Sequence, residues 1–194
     1  MSEDTGGTWG EDRALAARCL AGDEAAWSEL VARHGGRIFS HCRLAGLGPA
    51  DAEDVTQEVL VSALRSLGTY RGCSLSTWLY RLTRRRLADH FRSPQRRLVP
   101  VGDQKEDPPP GVGGLVRRTD PESALSRTQE AERTRRAVAR LSEPARSIVT
   151  AYYLYEVPVR EIAEAMGMPV NTVKSHLHRG RKAVRKTLEE SRDL

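Results

Sequence analysis

The chain has 194 residues, of which 39% are hydrophobic and 5% aromatic, so it can form one lean core or two small ones. Its 31 Lys and Arg exceed its 26 Asp and Glu, and the formal net charge of +5 favours an anionic partner only weakly. No stretch approaches the roughly 18 apolar residues of a membrane-spanning helix, and the polar, acidic N-terminus is unlike a signal peptide. We therefore expect a cytoplasmic protein.

The three cysteines, Cys19, Cys42 and Cys73, lie far apart and form no CxxC pair. This spacing argues against a disulfide framework or a zinc site and suits a reducing compartment. His41 beside Cys42 could supply half of a metal site, but no second close pair of ligands follows. We assign no metal and no cofactor.

The first half of the chain has the apolar periodicity of helices and lacks the alternation of strands. Asp23 is a plausible N-cap for one helix, a second should begin near Pro49, and a third near Leu75. The residues expected on the buried faces are Ala26, Trp27, Leu30 and Val31 in the first helix, Ala52, Val55, Val59, Ala63 and Leu67 in the second, and Leu75, Trp78, Leu79, Leu82 and Leu87 in the third.

Residues 99–120 interrupt this periodicity with crowded Pro and Gly, including three consecutive prolines from Pro108 to Pro110. We predict a flexible linker that joins two domains without fixing their orientation. The expected organisation is a disordered N-terminus over 1–10, a domain over 11–98, the linker over 99–120 and a second domain over 121–194. The predicted fold class is all-α, with two small helical domains.

The second domain shows several helix boundary signals. Asp120 and Pro121 are a good N-cap and N1 pair for a helix to about Arg140, and Pro144 should begin another. A short amphipathic helix then precedes Gly167, and Pro169 opens the last helix. The short helix should bury Ile162, Ala163 and Met166. This succession predicts a helix-turn-helix unit, whose second helix enters the major groove of DNA.

The last helix carries one-signed charge. Between Asn171 and Lys186 it has six Lys or Arg, two His and no acid. All the basic residues lie outside the apolar stripe of Val173, Leu177, Gly180, Val184 and Leu188. A solvated helix remains the alternative, but like charges repel on a free face, so DNA binding is the preferred interpretation. The candidates for base contact are Asn171, Thr172, Lys174, Ser175, His176, His178 and Arg179, and those for phosphate contact are Arg181, Lys182, Arg185 and Lys186.

The predicted helix from Pro49 begins with four acids, Asp51, Glu53, Asp54 and Glu58. Acids in a first turn favour the helix dipole, which is one explanation. Asp54, Gln57, Glu58 and Val61 also share a face, which is typical of a docking surface for a basic partner. The pattern alone leaves both explanations open.

The segment 70–97 is rich in arginine and contains one acid, Asp89. Basic residues interleaved with Tyr70, Trp78, Tyr80 and Phe91 suit a surface that follows a nucleic-acid backbone. Aromatic residues at helical spacing are more often core, and Trp78 is expected to be so. The chain thus has two basic surfaces in separate domains, whereas a simple repressor needs one.

Three motifs in this order resemble the extracytoplasmic-function (group 4) sigma factors of bacterial RNA polymerase. DAEDVTQEVLVSAL is similar to the region 2.2 helix, which docks on the β′ clamp helices. YRGCSLSTWLYRLTRRRLADHFR is similar to the segment that opens and reads the minus-ten element. VREIAEAMGMPVNTVKSHLHRGRKAV resembles region 4.2, which reads the minus-thirty-five element and contacts the β flap.

The resemblance implies a non-catalytic promoter-specificity subunit that binds core RNA polymerase and promoter DNA, held inactive by an anti-sigma factor. It also implies roles for individual residues. Core docking falls to Asp51, Asp54, Gln57, Glu58 and Val61; minus-ten binding to Arg71, Gly72, Cys73, Ser74, Leu75 and Ser76, with Arg81, Arg84, Arg85 and Arg86 holding phosphates; and minus-thirty-five binding to Asn171, Thr172, Lys174, Ser175, His176, His178, Arg179, Arg181 and Lys182.

Two other classes of function are weighed against this one. A conventional regulator with a sensory N-terminal domain predicts DNA binding and dimerisation without core polymerase. A nucleic-acid-processing enzyme is disfavoured because the sequence shows no phosphate-binding Gly-rich loop, no nucleophile with a base and no metal-ligand cluster.

Overall fold

The structure is a computed structural model that describes residues 6–71, 73–92 and 121–190, with side chains from residue 10 to 92 except residue 72, and from 130 to 190. Over these ranges the regular structure is entirely helical and falls into two compact units, α1–α4 and α5–α8, which confirms the predicted fold class. The helices are α1 (Gly6–Leu20), α2 (Glu24–Leu44), α3 (Pro49–Ser66), α4 (Leu75–Arg92), α5 (Pro121–Ala139), α6 (Ala145–Leu154), α7 (Val159–Met166) and α8 (Val170–Glu190), with a 3₁₀ turn at Leu67–Thr69.

The predicted linker and its boundaries lie among residues 93–120, outside the described residues, and stay predictions. Residues 6–10 belong to α1, although the sequence analysis placed them in a disordered N-terminus; residues 1–5 are outside the description. The helix was not predicted because glycines and acids at this end leave no clear apolar periodicity. Leu15, Ala16 and Cys19 bury the inner face of α1.

The start of α2 is fixed by Asp23, as predicted. Its Oδ1 accepts hydrogen bonds from the backbone N–H groups of Ala25 and Ala26 at 2.9 and 3.1 Å. Val31, predicted to be buried, is 36% exposed, and Trp27 is half-buried with its Nε1 donating to the Cys19 carbonyl at 3.1 Å. The apolar face is therefore narrower than the sequence suggested.

The helix α3 begins at Pro49, as predicted, and packs against α4. Ala52, Val55, Val59 and Ala63 are fully buried, and Leu67 is buried in the 3₁₀ turn. On α4 the expected Leu75, Leu79 and Leu87 are buried, but Trp78 and Leu82 are half-buried, and Tyr80, Thr77 and Thr83 take core positions instead. Thr83 can be buried because its Oγ1 donates to the Leu79 carbonyl at 2.8 Å.

The second unit presents α8 on a small core. Val138, Leu141 and Val149 form this core, and Leu177 and Val184 of α8 pack against it. Gly167 ends α7 in the left-handed conformation, with φ of +62°, and its N–H bonds to the Ala163 and Glu164 carbonyls. Ile162 and Ala163 are buried and Met166 is half-buried. The predicted helix-turn-helix is thus α7 and α8.

The predicted N-cap Asp120 lies outside the described residues, whereas the predicted helix starts near Pro121 and Pro144 are present. None of the described helices is both long enough and apolar enough to cross a bilayer.

Candidate nucleic-acid and docking interfaces

One face of α3 forms a groove with mixed charge. Asp54, Gln57, Glu58 and Val61 line it, as do Ser62, Arg65 and Arg86, and its volume is about 410 Å³. Asp51 is exposed in the first turn and is not among the lining residues. Toward the C-terminal end of α3, Val61, which lines the groove, is 44% exposed, and Leu64 outside it is 54% exposed. The structure therefore brings four of the five predicted docking residues together in one groove.

Arg86 belongs to this groove rather than to the basic surface of α4. Its Nε and Nη2 both donate to the Oγ of Ser62, at 3.0 and 2.7 Å. A helix turns by about 100° per residue, which separates Arg86 from Arg81, Arg84 and Arg85. Those three arginines are exposed. The structure thus separates Arg86 from the three exposed arginines, and the phosphate-binding role of all four stays a prediction.

Residues 70–76, the pre-α4 segment, contain the predicted minus-ten loop. Cys73, Ser74 and Leu75 are buried, at 7%, 9% and 0% exposure. Ser74 caps α4: its Oγ accepts from the Thr77 N–H at 3.1 Å and lies 2.8 Å from the Thr77 Oγ1. These three side chains support the segment rather than form its surface.

The surface of the pre-α4 segment is formed by Arg71, which is exposed, and Ser76, which is half-buried; Gly72 lies outside the described residues. The Arg71 Nη1 donates to the carbonyls of Gly68 and Tyr70, both at 3.0 Å. The Tyr70 hydroxyl donates to the Cys73 carbonyl at 2.9 Å. These bonds hold the backbone at Gly68, Tyr70 and Cys73.

Asp12 of α1 was not among the predicted site residues. Its carboxylate is buried at 7% exposure, and Oδ2 accepts a hydrogen bond from the Leu75 N–H at 2.8 Å, 63 positions along the chain. An acid that follows another acid, Glu11, in a weakly patterned helix gives no indication of such a partner. Burial raises the pKa of the Asp12 carboxyl, and the bond to Leu75 opposes that change.

The helix α8 presents its polar side chains outward because Val173 and Gly180 are buried. In its N-terminal turns the predicted base-contacting residues are exposed, except Thr172 and His176, which are half-buried. The Nη2 of Arg179 lies 3.5 Å from the Nδ1 of His176, and the Ser175 Oγ donates to the Asn171 carbonyl at 2.9 Å. The exposed basic residues farther along α8 are Arg181, Lys182, Arg185 and Lys186.

The three cysteines and His34 of the first unit are buried. All three cysteines are buried free thiols, and burial raises the pKa of Cys42 to about 11. Burial, with Arg37 and Arg33 nearby, lowers the pKa of His34 to about 4. The described ranges contain no group of three His, Cys, Asp or Glu that could hold a metal ion.

Comparison with known proteins identifies the family of the chain. Residues 30–97 match the family described as Sigma-70 region 2, and residues 131–184 match Sigma-70, region 4. The chain is 30% identical over 182 residues to the RNA polymerase sigma-H factor of Pseudomonas aeruginosa, covering 92% of this chain and 94% of that protein. It is 32% identical over 179 residues to the ECF RNA polymerase sigma-E factor of Escherichia coli K12, covering 89% and 92%.

Among solved structures, CnrH in complex with the cytosolic domain of CnrY has a TM-score of 0.63 at 22% identity, covering 92% of this chain and 97% of CnrH. This likeness supports the fold. The chain belongs to the extracytoplasmic-function group of the sigma-70 family, the promoter-specificity subunits that bind bacterial core RNA polymerase, recognise the minus-thirty-five and minus-ten elements and help to open DNA for transcription initiation.

Proposed function

We propose that the α3 groove is the surface that docks on the β′ clamp helices of core polymerase. The observation that carries the proposal is that the exposed Val61 lines the groove together with Asp54 and Glu58, with the exposed Leu64 one turn farther along α3. Exposed apolar side chains surrounded by charged ones are typical of protein interfaces. Asp51 adds negative charge at the start of α3 and acts at longer range.

The minus-ten element is bound by the pre-α4 segment together with α4. Arg71 and Ser76 are the side chains that reach the surface of that segment. Gly72 keeps its predicted role beside them. Arg81, Arg84 and Arg85 hold the phosphates of the separated strand, which supplies affinity without sequence preference.

The minus-thirty-five element is bound by α8. The exposed Asn171, Lys174, Ser175, His178 and Arg179 contact base edges from its N-terminal turns. Thr172 and His176, which are half-buried, contribute at the edge of this set. Arg181, Lys182, Arg185 and Lys186 contact phosphates, and the same unit contacts the β flap.

The protein performs no covalent chemistry of its own and acts in the cytoplasm, where the polymerase catalyses synthesis. Both units have exposed docking surfaces that an inhibitor could cover, and CnrH, which has a similar fold, was solved with the cytosolic domain of CnrY. We therefore expect an anti-sigma factor to regulate the protein. Affinity capture from the native cell tests it, and recovery of polymerase with no inhibitory partner would reject it.

The central experiment is run-off transcription with bacterial core polymerase. The Asp54→Ala, Glu58→Ala double variant should lose core binding, with Glu24→Ala, an exposed acid of α2, as its matched control. The Lys174→Ala, Arg179→Ala double variant should assemble with core but lose promoter selectivity, with Arg133→Ala of α5 as its control. Unchanged transcription by both double variants would overturn the assignments.

A further inference from the structure

We infer that Asp12 is a positioning residue for promoter opening: its carboxylate fixes the first residue of α4 and, with it, the pre-α4 segment. The inference rests on the proposed role of that segment in binding the minus-ten element. Asp12 does not contact DNA in this scheme and acts through the backbone of Leu75.

The contact has the chemistry of a helix N-terminal anchor. The first four N–H groups of an α-helix have no acceptor within the helix, and Leu75 is the first residue of α4. An ionised carboxylate is a stronger acceptor than a neutral group, and its charge is favourable at the positive end of the helix. At 2.8 Å, the Oδ2 of Asp12 and the N–H of Leu75 make a bond of this kind.

Several further bonds of the segment are local. Ser74 caps Thr77, the Tyr70 hydroxyl bonds to the Cys73 carbonyl, and Arg71 bonds to Gly68 and Tyr70, all within three positions along the chain. Local bonds set the shape of the segment. The Asp12 bond spans 63 positions and therefore sets where this shape lies relative to α1.

The contact between Asp12 and Leu75 also has a free-energy cost, because the carboxylate is buried. A buried charge of this kind is seldom kept in a protein without a role. A buried carboxylate loses hydration, and burial accordingly raises the pKa of Asp12. Removing the carboxylate would leave the buried Leu75 N–H without this acceptor, which destabilises the start of α4. In a variant without the carboxylate, we therefore expect the start of α4 to become mobile while the rest of the first unit stays folded.

The expected functional consequence is lost base discrimination. A base of the opened strand that leaves the stack loses its stacking energy, and polar contacts from the pre-α4 segment must compensate for it. Displacement of binding groups by about 1 Å can reduce such selectivity strongly. Core docking uses the residues of the α3 groove, so it should be unaffected.

The test measures holoenzyme binding to a labelled single-stranded oligonucleotide that carries the minus-ten element of a promoter transcribed by the wild type. The same oligonucleotide with one base of the element changed gives the discrimination ratio. Asp12→Ala should lower this ratio by about 10-fold, the scale of one lost charged hydrogen bond. Asp12→Asn, which keeps an oxygen acceptor, should lower it by about twofold to threefold. Core affinity should stay at the wild-type value.

Ile38→Val is the structural control, because Ile38 is fully buried in α2. The substitution removes one methylene group and should lower the stability of the unit without affecting the pre-α4 segment. It should keep the wild-type ratio. An Asp12→Ala holoenzyme with that ratio overturns the inference. If Asp12→Ala fails to assemble with core, Asp12→Asn decides: a loss of twofold or more supports the inference and no loss overturns it. A wild-type holoenzyme that does not distinguish the oligonucleotides rejects the role of the segment itself, and the inference with it.

Discussion

Arg86 of α4 is bonded to Ser62 of α3 through two guanidinium nitrogens, at 3.0 and 2.7 Å from one hydroxyl oxygen. The bond places a half-buried cation in the groove that also holds Asp54 and Glu58. We predict that Arg86→Ala weakens core binding by about threefold to tenfold, because the wall of the groove loses a charged hydrogen bond. Titration of labelled protein with core polymerase measures this effect.

Arg85 is the matched control for Arg86, since it is the preceding residue of α4 and is exposed. Arg85→Ala should leave core affinity unchanged and reduce the slope of log affinity for promoter DNA against log salt by about one. Arg86→Ala should leave this slope unchanged. A reduced slope for Arg86→Ala with intact core binding would return Arg86 to the phosphate-binding set.

The two arginines also show what the sequence alone could not predict. The starts of α2 and α3 and the end of α7 were predictable because Asp23, Pro49 and Gly167 act through their own backbone or that of near neighbours, whereas α1 was not predicted. The run of arginines before Leu87 could not be divided by motif alone, because the role of Arg86 depends on α3 packing against α4. The motif therefore predicted a basic surface on α4 but not which of its arginines lie on that surface.

In the pre-α4 segment, too, the motif did not predict which side chains are exposed. Resemblance assigned the whole loop to DNA, whereas Cys73, Ser74 and Leu75 have buried side chains. The Asp12 contact was invisible in the sequence because it joins residues 63 positions apart. Long-range backbone contacts of this kind follow from tertiary packing and leave no periodic pattern.

In α8, position along the helix should separate base reading from phosphate binding. Arg179 and Lys182 are both exposed, on consecutive turns. Arg179→Ala should cost about 1–3 kcal/mol for the preferred minus-thirty-five sequence and less for altered sequences, because it removes a base contact. Lys182→Ala should weaken all sequences equally and reduce the salt slope by about one.

Competition binding with a set of single-base promoter variants distinguishes the two effects. The ratio of affinities between preferred and altered sequences should fall for Arg179→Ala and remain constant for Lys182→Ala. His176→Ala provides a further comparison, because its Nδ1 lies 3.5 Å from the Arg179 guanidinium. Identical specificity profiles for the Arg179 and Lys182 variants would contradict the proposed division.

The packing of α8 on α6 requires a residue without a side chain at position 180. A Cβ built on Gly180 would lie 2.7 Å from Cγ2 of Val149. Overpacking of this kind costs roughly 1–3 kcal/mol, while replacing Gly by Ala in a helix returns about 1 kcal/mol. We predict that Gly180→Ala lowers the stability of the second unit by about 1 kcal/mol, measured by urea unfolding with hydrogen exchange at α6 and α8.

Two variants check the steric explanation. Gly36 is exposed within α2 and has nothing near its Cβ direction, so Gly36→Ala should stabilise the first unit by about 0.5–1 kcal/mol. Val149→Ala removes the clashing methyl group, and its combination with Gly180→Ala should be less destabilised than the sum of the single variants. Strictly additive effects would show that the two positions do not clash.

The buried His34 should make the first unit sensitive to acid. It is 2% exposed, neither ring nitrogen has a hydrogen-bond partner among the described residues, and burial with Arg37 and Arg33 lowers its pKa from 6.5 to about 4. The folded state therefore binds fewer protons than the unfolded state between these values, and stability falls as pH decreases through this window. The full loss in the free energy of unfolding is about 3 kcal/mol once the pH is below 4.

Urea unfolding monitored at pH 7, 5.5 and 4.5 should show this decline in stability in the wild type and a flatter profile in His34→Leu. His178→Gln, at an exposed position, should follow the wild type, and an equally steep profile in His34→Leu would assign the acid sensitivity to other groups.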